Sequence, residues 1–86
     1  MDLWDLRDET VFRDPDLRLT LGRHPESGQP YLLFMVQRGI GEYPARLPLS
    51  EDDFRQYRQD PHLAARRTDR YQGLTCEQVR AAGAEC

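Results

Sequence analysis

The residues best suited to chemistry are two cysteines and two histidines, and their spacing favours neither catalysis nor metal binding. Cys76 and Cys86 have no second cysteine pair that would complete a zinc site. His24 falls in a predicted turn and His62 in the first turn of a predicted helix, with no partner at triad or helical-metal spacing. We therefore predict no catalytic residue, no metal and no cofactor, and we expect a protein that is not an enzyme.

The two cysteines leave a minor redox alternative open. A bond between Cys76 and Cys86 would close a short loop, but a cytoplasmic chain is expected to keep both thiols reduced. Cys76 lies at the start of a predicted helix, where the pKa of a thiol is lowered, and this favours a redox or nucleophilic role. Cys86 is the final residue of the sequence, and we expect it to be mobile.

Charge says more about partners than about catalysis. The 86 residues contain 15 acidic residues against 12 arginines and no lysine, for a net charge of −3. This balance argues against general nucleic-acid binding, which needs a basic surface, and is compatible with docking onto a basic protein. The alternative is a small nucleic-acid-associated regulator that uses a helical arginine cluster. That cluster comprises Arg55, Arg58, Arg66, Arg67 and Arg70.

The first half of the chain predicts an antiparallel sheet. Residues 17–21 alternate apolar and polar side chains, the period of a strand with one buried face. Residues 31–36 are continuously apolar, which favours a central strand covered on both faces. Pro44 and Pro48 cannot donate ladder hydrogen bonds, so the strand that holds them is predicted to lie at an edge or to be irregular. The predicted strands lie at about residues 10–13, 17–22, 31–37 and 43–49.

The second half predicts short capped helices. Ser50 precedes three acidic residues, as an N-cap does, and Asp60 precedes a proline, as at a second helix start. Thr75 and Gln78 fit a capping box. A single kinked helix through Asp60 is the alternative to a break there. The helices are predicted at about residues 51–59, 61–71 and 75–82, giving an α+β fold: a three- to four-stranded β-meander followed by two or three helices.

Length and hydropathy predict one domain over residues 1–86. No apolar stretch approaches the ~20 residues of a membrane span, and the acidic start differs from a signal peptide, so we expect a cytoplasmic protein. Trp4, the only tryptophan, is expected to pack on the domain edge, with a partner anchor as the alternative.

Three segments resemble a family of small bacterial proteins. They are residues 28–32, residues 38–43 with a glycine turn before an acid and a tyrosine, and residues 49–54 with an acidic helix start. Proteins of this kind resemble cognate immunity proteins of bacterial toxin systems, and the similarity spans about residues 17–60. The resemblance implies a β-meander that leads into helices.

Together these features predict a protein-binding inhibitor, and the resemblance implies an immunity protein that neutralises a bacterial toxin domain by occluding it. The partner is predicted to be a basic toxin domain, with no membrane and no nucleic acid involved. The residues of this chain that would meet the basic cleft of the toxin lie on the last predicted strand and the first predicted helix. Charge complementarity between the two surfaces would speed association. The predicted contacts are Glu42, Tyr43, Glu51, Asp52 and Asp53.

Overall fold

The structure is a computed structural model that describes residues 12–86. The first two residues of the predicted strand at 10–13 lie outside the described residues, and so does Trp4. No described helix exceeds nine residues, and none is long and apolar enough to cross a membrane.

Four strands form an antiparallel sheet in the order of the chain, β1-β2-β3-β4. They are β1 (Phe12–Asp14), β2 (Leu19–Arg23), β3 (Pro30–Arg38) and β4 (Gly41–Pro48). Three helices follow: α1 (Glu51–Gln59), α2 (Pro61–Asp69) and α3 (Cys76–Ala81). The predicted α+β class, with a β-meander before the helices, is confirmed.

The turns explain the strand limits. β2 begins at Leu19 rather than residue 17, because Asp14 Oδ1 accepts the backbone N–H groups of Asp16 and Leu17, and Arg18 takes a left-handed φ of 59°. Between β3 and β4 only two residues make the turn. Gly39 is the first of them, with a φ of 63°, which is the position that a type II′ hairpin turn reserves for glycine.

Each helix begins at the predicted cap. Ser50 accepts the N–H of Asp53 at 3.1 Å, and Asp60 accepts that of His62 at 3.2 Å. Thr75 forms a full capping box with Gln78. Asp60 is extended (φ −139°, ψ 90°), so the break between α1 and α2 is confirmed over a single kinked helix. The second helix ends at Asp69, short of the predicted residue 71.

The core lies between one face of the sheet and the helices. Exposure along β3 alternates: Phe34 is 1% exposed, whereas its neighbour Leu33 is 36% exposed. The prediction that this strand is covered on both faces is therefore wrong for the described residues, because the helices pack on one face only. The buried hydrophobic residues are Leu19, Leu21, Leu32, Phe34, Val36, Ala45, Leu47, Leu49, Phe54, Tyr57, Ala64, Tyr71, Val79 and Ala84.

Strand β4 is an edge strand, as its prolines predict. Arg46 turns its N–H and C=O away from β3 and exchanges both with Glu85, at 2.8 and 2.6 Å. Because backbone groups alternate in direction along a strand, Pro44 and Pro48 occupy the same outward positions as Arg46. The two residues without an N–H therefore stand where none of the four described strands would accept one.

Candidate functional site

The two predicted contacts on β4 have partners within the chain. Glu42 forms an ion pair with Arg18 of the β1–β2 turn. The hydrogen bond that Arg18 donates to the carboxylate lowers the pKa of Glu42 below its ordinary value. Tyr43 lies on the helix side of the sheet, half-buried, and its hydroxyl donates to the carbonyl of Leu74. Tyr43 thus fastens the segment before α3 to the sheet.

The three predicted contacts on α1 occupy its first turn, where carboxylates are favoured by the helix dipole. Glu51 accepts two hydrogen bonds from Arg23 at 2.7 and 2.6 Å, which lower the pKa of Glu51. Asp53 accepts from Arg67 at 2.9 Å. Asp52 is the most open of the three, with its side chain 81% exposed and 3.6 Å from Arg55.

The structure does not bring these five residues into one patch. Glu42 and Pro48 are six residues apart on an extended strand, or about 20 Å, and α1 begins beyond Pro48. Glu42 therefore lies at the opposite end of β4 from Glu51, Asp52 and Asp53. Residues 12–86 contain eleven arginines and eleven acidic residues, so the net charge of −3 belongs to the sequence of residues 1–11.

The sheet has an outer face that the helices leave open. Leu33 lies there in a row with Thr20 on one side and Arg46 on the other, and Met35 lies beside Pro44 in the next row. Leu33 and Pro44 are exposed and Met35 is half-buried. We call Leu33, Met35 and Pro44 the apolar window.

Two shallow depressions flank Leu33 in the apolar window. One, of about 330 Å³, lies towards the β1–β2 turn, where Arg13 and Arg18 line it. The other, of about 370 Å³, lies towards β4 and the C-terminal residues Glu85 and Cys86. Charged groups thus border an apolar centre, the arrangement of a protein–protein contact surface.

The opposite end of the outer face is covered by the chain's own side chains. Tyr31 lies over Gly22, whose missing side chain makes room for the ring: a Cβ there would stand 2.7 Å from the tyrosine hydroxyl. The Arg46 guanidinium lies 5.5 Å from the Tyr31 ring centroid and pairs with Glu85 at 3.0 Å. Arg46 thus lies between the apolar window and Pro48, which is also exposed at the far end of β4.

Ile40 is at the hairpin tip, in the two-residue turn between β3 and β4, and is fully exposed. A large aliphatic side chain gains nothing from the fold in this position. It extends the apolar window along the same hairpin, since Leu33, Met35 and Pro44 all belong to β3 or β4.

The arginine cluster predicted from the sequence is divided in the structure. Arg67 donates to Tyr57 at 3.0 Å and to Asp53, and these bonds raise the pKa of Arg67. Arg55 and Arg58 instead line a depression of about 460 Å³ beside Phe54. Its third arginine is Arg23 from β2, 4.7 Å from the Phe54 ring centroid and already held by Glu51.

Cys76 and Cys86 form a disulfide, with their Cα atoms 5.5 Å apart. The expectation of two reduced thiols is therefore wrong for the form that the structure shows. The expectation of a mobile Cys86 is wrong as well, because its neighbour Glu85 pairs with β4. Among the described residues no group of three or more histidines, cysteines or acids is placed to hold a metal ion.

Sequence reasoning missed the apolar window and the role of Arg23. The alternation of exposure in β3 has no sequence signal, since Leu33 and Met35 are as apolar as the buried Leu32 and Phe34. A signal did exist at Ile40, an apolar residue between two glycines in a predicted turn.

Comparisons with protein-family models, with curated proteins and with solved structures found no match to this chain.

Proposed function

We propose that this protein is a protein-binding inhibitor that docks through the apolar window and the Ile40 tip. The observation that carries the proposal is that Leu33, Pro44 and Ile40 are exposed along one hairpin, beside the half-buried Met35. Three of them share the outer face of the sheet, bordered by the Arg18–Glu42 and Arg46–Glu85 ion pairs. An apolar centre with a polar border is the anatomy by which protein partners exclude water.

The kind of partner follows from charge and from the immunity-protein resemblance of residues 17–60. We propose a basic bacterial toxin domain, neutralised by occlusion in the cytoplasm. The four acids of residues 1–11 supply the net negative charge of the chain and would speed encounter with a basic surface. Asp52 is the predicted contact whose carboxylate is most open to such a partner.

The nucleic-acid alternative gains no support from the structure. Arg67 is engaged by Tyr57 and Asp53, and the described residues balance arginines against acids. Phosphate binding draws its affinity from an excess of positive charge on one surface.

The test is co-expression with the product of the adjacent gene. A stable complex, and rescue of growth where that product is toxic, are the expected results. Leu33→Arg should weaken the complex by at least tenfold, because it places a charge in the apolar window. Gln56→Arg is the matched control, since it adds the same charge to an exposed position of α1. No complex, or equal binding by both variants, would contradict the proposal.

A further inference from the structure

The disulfide lies where the C-terminal residues border the apolar window. Cys86 is exposed and Cys76 is half-buried, so a thiol in solution reaches the Cys86 sulfur more readily. The Cα separation of 5.5 Å is typical of disulfides. The depression on this side of the apolar window is lined by β4 and by Glu85 and Cys86. Its lining residues are Leu33, Pro44, Ala45, Arg46, Glu85 and Cys86.

Few other contacts hold Glu85 and Cys86. Glu85 has two backbone hydrogen bonds and one exposed ion pair, all with Arg46. Net contributions of this kind are modest and comparable with the entropy cost of ordering two residues. Ala84 is different, since it is buried and its N–H donates to the carbonyl of Val79. The contacts of Glu85 with β4 are thus weak without the disulfide, whereas Ala84 is held by burial and by a hydrogen bond that do not involve it.

We propose that the Cys76–Cys86 disulfide is a thiol-exchange site whose oxidation state sets access to the apolar window, a regulation that rests on the proposed function. With the disulfide formed, Glu85 and Cys86 line the depression beside Leu33 and Pro44, and Glu85 occupies the outward backbone groups of Arg46. With the thiols reduced, Glu85 and Cys86 detach from β4, and the apolar window becomes accessible from the β4 side. In a cytoplasmic protein a disulfide is transient and redox-sensing, as this role requires.

The exchange needs a dithiol reductant. Its thiolate attacks the exposed Cys86 sulfur, the bond to Cys76 breaks, and a mixed disulfide forms while Cys76 leaves as a thiolate and takes up a proton. The second thiol of the reductant then attacks its own sulfur in the mixed disulfide. Cys86 is released as a thiol, and the reductant, having lost two electrons and two protons, becomes a disulfide.

Amide hydrogen exchange measured by NMR tests the switch in the full chain, without a partner. We compare the oxidised protein, the protein reduced by dithiothreitol, and the Cys76→Ser/Cys86→Ser variant. The Arg46 amide, whose acceptor is the Glu85 carbonyl, should exchange at least tenfold faster in both reduced forms. The amides of Phe34 and Val36 within β3, and that of Ala84, should be unchanged.

Three outcomes would overturn the proposal. In the first, the Arg46 amide keeps its protection from exchange after reduction. In the second, the β3 amides lose their protection too, which would show that the disulfide supports the whole fold. In the third, incubation with glutathione at cytoplasmic poise leaves the disulfide intact. Failure of the proposed function has a different signature. Leu33→Arg would then bind the partner as Gln56→Arg does, and the exchange result would stand.

Discussion

Strand β3 contributes apolar side chains to both faces of the sheet, but only one face is buried. On the helix side, Leu32, Phe34 and Val36 of β3 are at most 1% exposed. On the outer side, Leu33 is 36% exposed and Met35 is half-buried. Both sets are equally apolar, so hydropathy does not separate residues that stabilise the fold from residues free to bind. Successive side chains of a strand point to opposite faces of the sheet, and the helices cover only one face. The position of a residue along β3 therefore decides whether it stabilises the core or is free to bind a partner.

The largest expected effect comes from truncating neighbours on the two faces. Phe34→Ala should lower the free energy of unfolding by about 3–5 kcal/mol, because it leaves a cavity where Phe34 packs against Tyr71, with ring centroids 5.3 Å apart. Leu33→Ala should lower it by less than about 1 kcal/mol, since water already reaches that side chain. Urea unfolding of both variants measures the contrast. Equal losses would show that the outer face is also covered.

Local chemistry made much of the fold predictable. Ser50, Asp60 and Thr75 are caps because a short polar side chain before a helical segment can accept the free N–H groups of the first turn. Tyr43, Ala45 and Leu47 alternate with residues of the outer face, as on a strand with one buried face, and the prolines of β4 indicate its edge position. These signals act within a few residues of one another.

Contacts between distant segments were not predictable. Arg23 meets Glu51 28 positions away, and Arg46 meets Glu85 39 positions away. Any acid could pair with either arginine until the fold brings one within reach. Four of the five predicted contact residues are acidic, and all five are predicted from their position along the chain. Their division between two ends of β4 depends on the length of that strand, which charge does not encode.

A smaller effect is expected at Gly22, where the outer face is closely packed, unlike at Leu33. Gly22→Ala should lower the free energy of unfolding by about 1 kcal/mol, because the new methyl group pushes against the Tyr31 ring. The ring swings at its flexible end, which keeps the cost below that of a core substitution. Gly22→Ala combined with Tyr31→Ala is the control, and the methyl group should cost less there. An equal cost with and without Tyr31 would contradict the stacking of the ring on Gly22.

The smallest effect is a pH dependence shared by the two faces. Arg23 lowers the pKa of Glu51 at the border of the helix side, and Arg18 lowers that of Glu42 at the border of the outer side. A carboxylate whose pKa is lower in the folded state stabilises the protein fully above its unfolded pKa of about 4.3, and this stability is lost as pH falls through the folded pKa.

The urea midpoint should therefore fall on acidification below about pH 5, and should fall less steeply in Glu51→Gln and Glu42→Gln. The two variants should flatten the slope independently, because their ion pairs lie at opposite ends of β4 and share no partner. The loss is small in each case because both pairs are exposed and screened by salt. If the urea midpoint of the double variant depends on pH as steeply as that of the wild type, neither ion pair forms in solution. The borders of both faces would then lack the ion pairs that the structure shows.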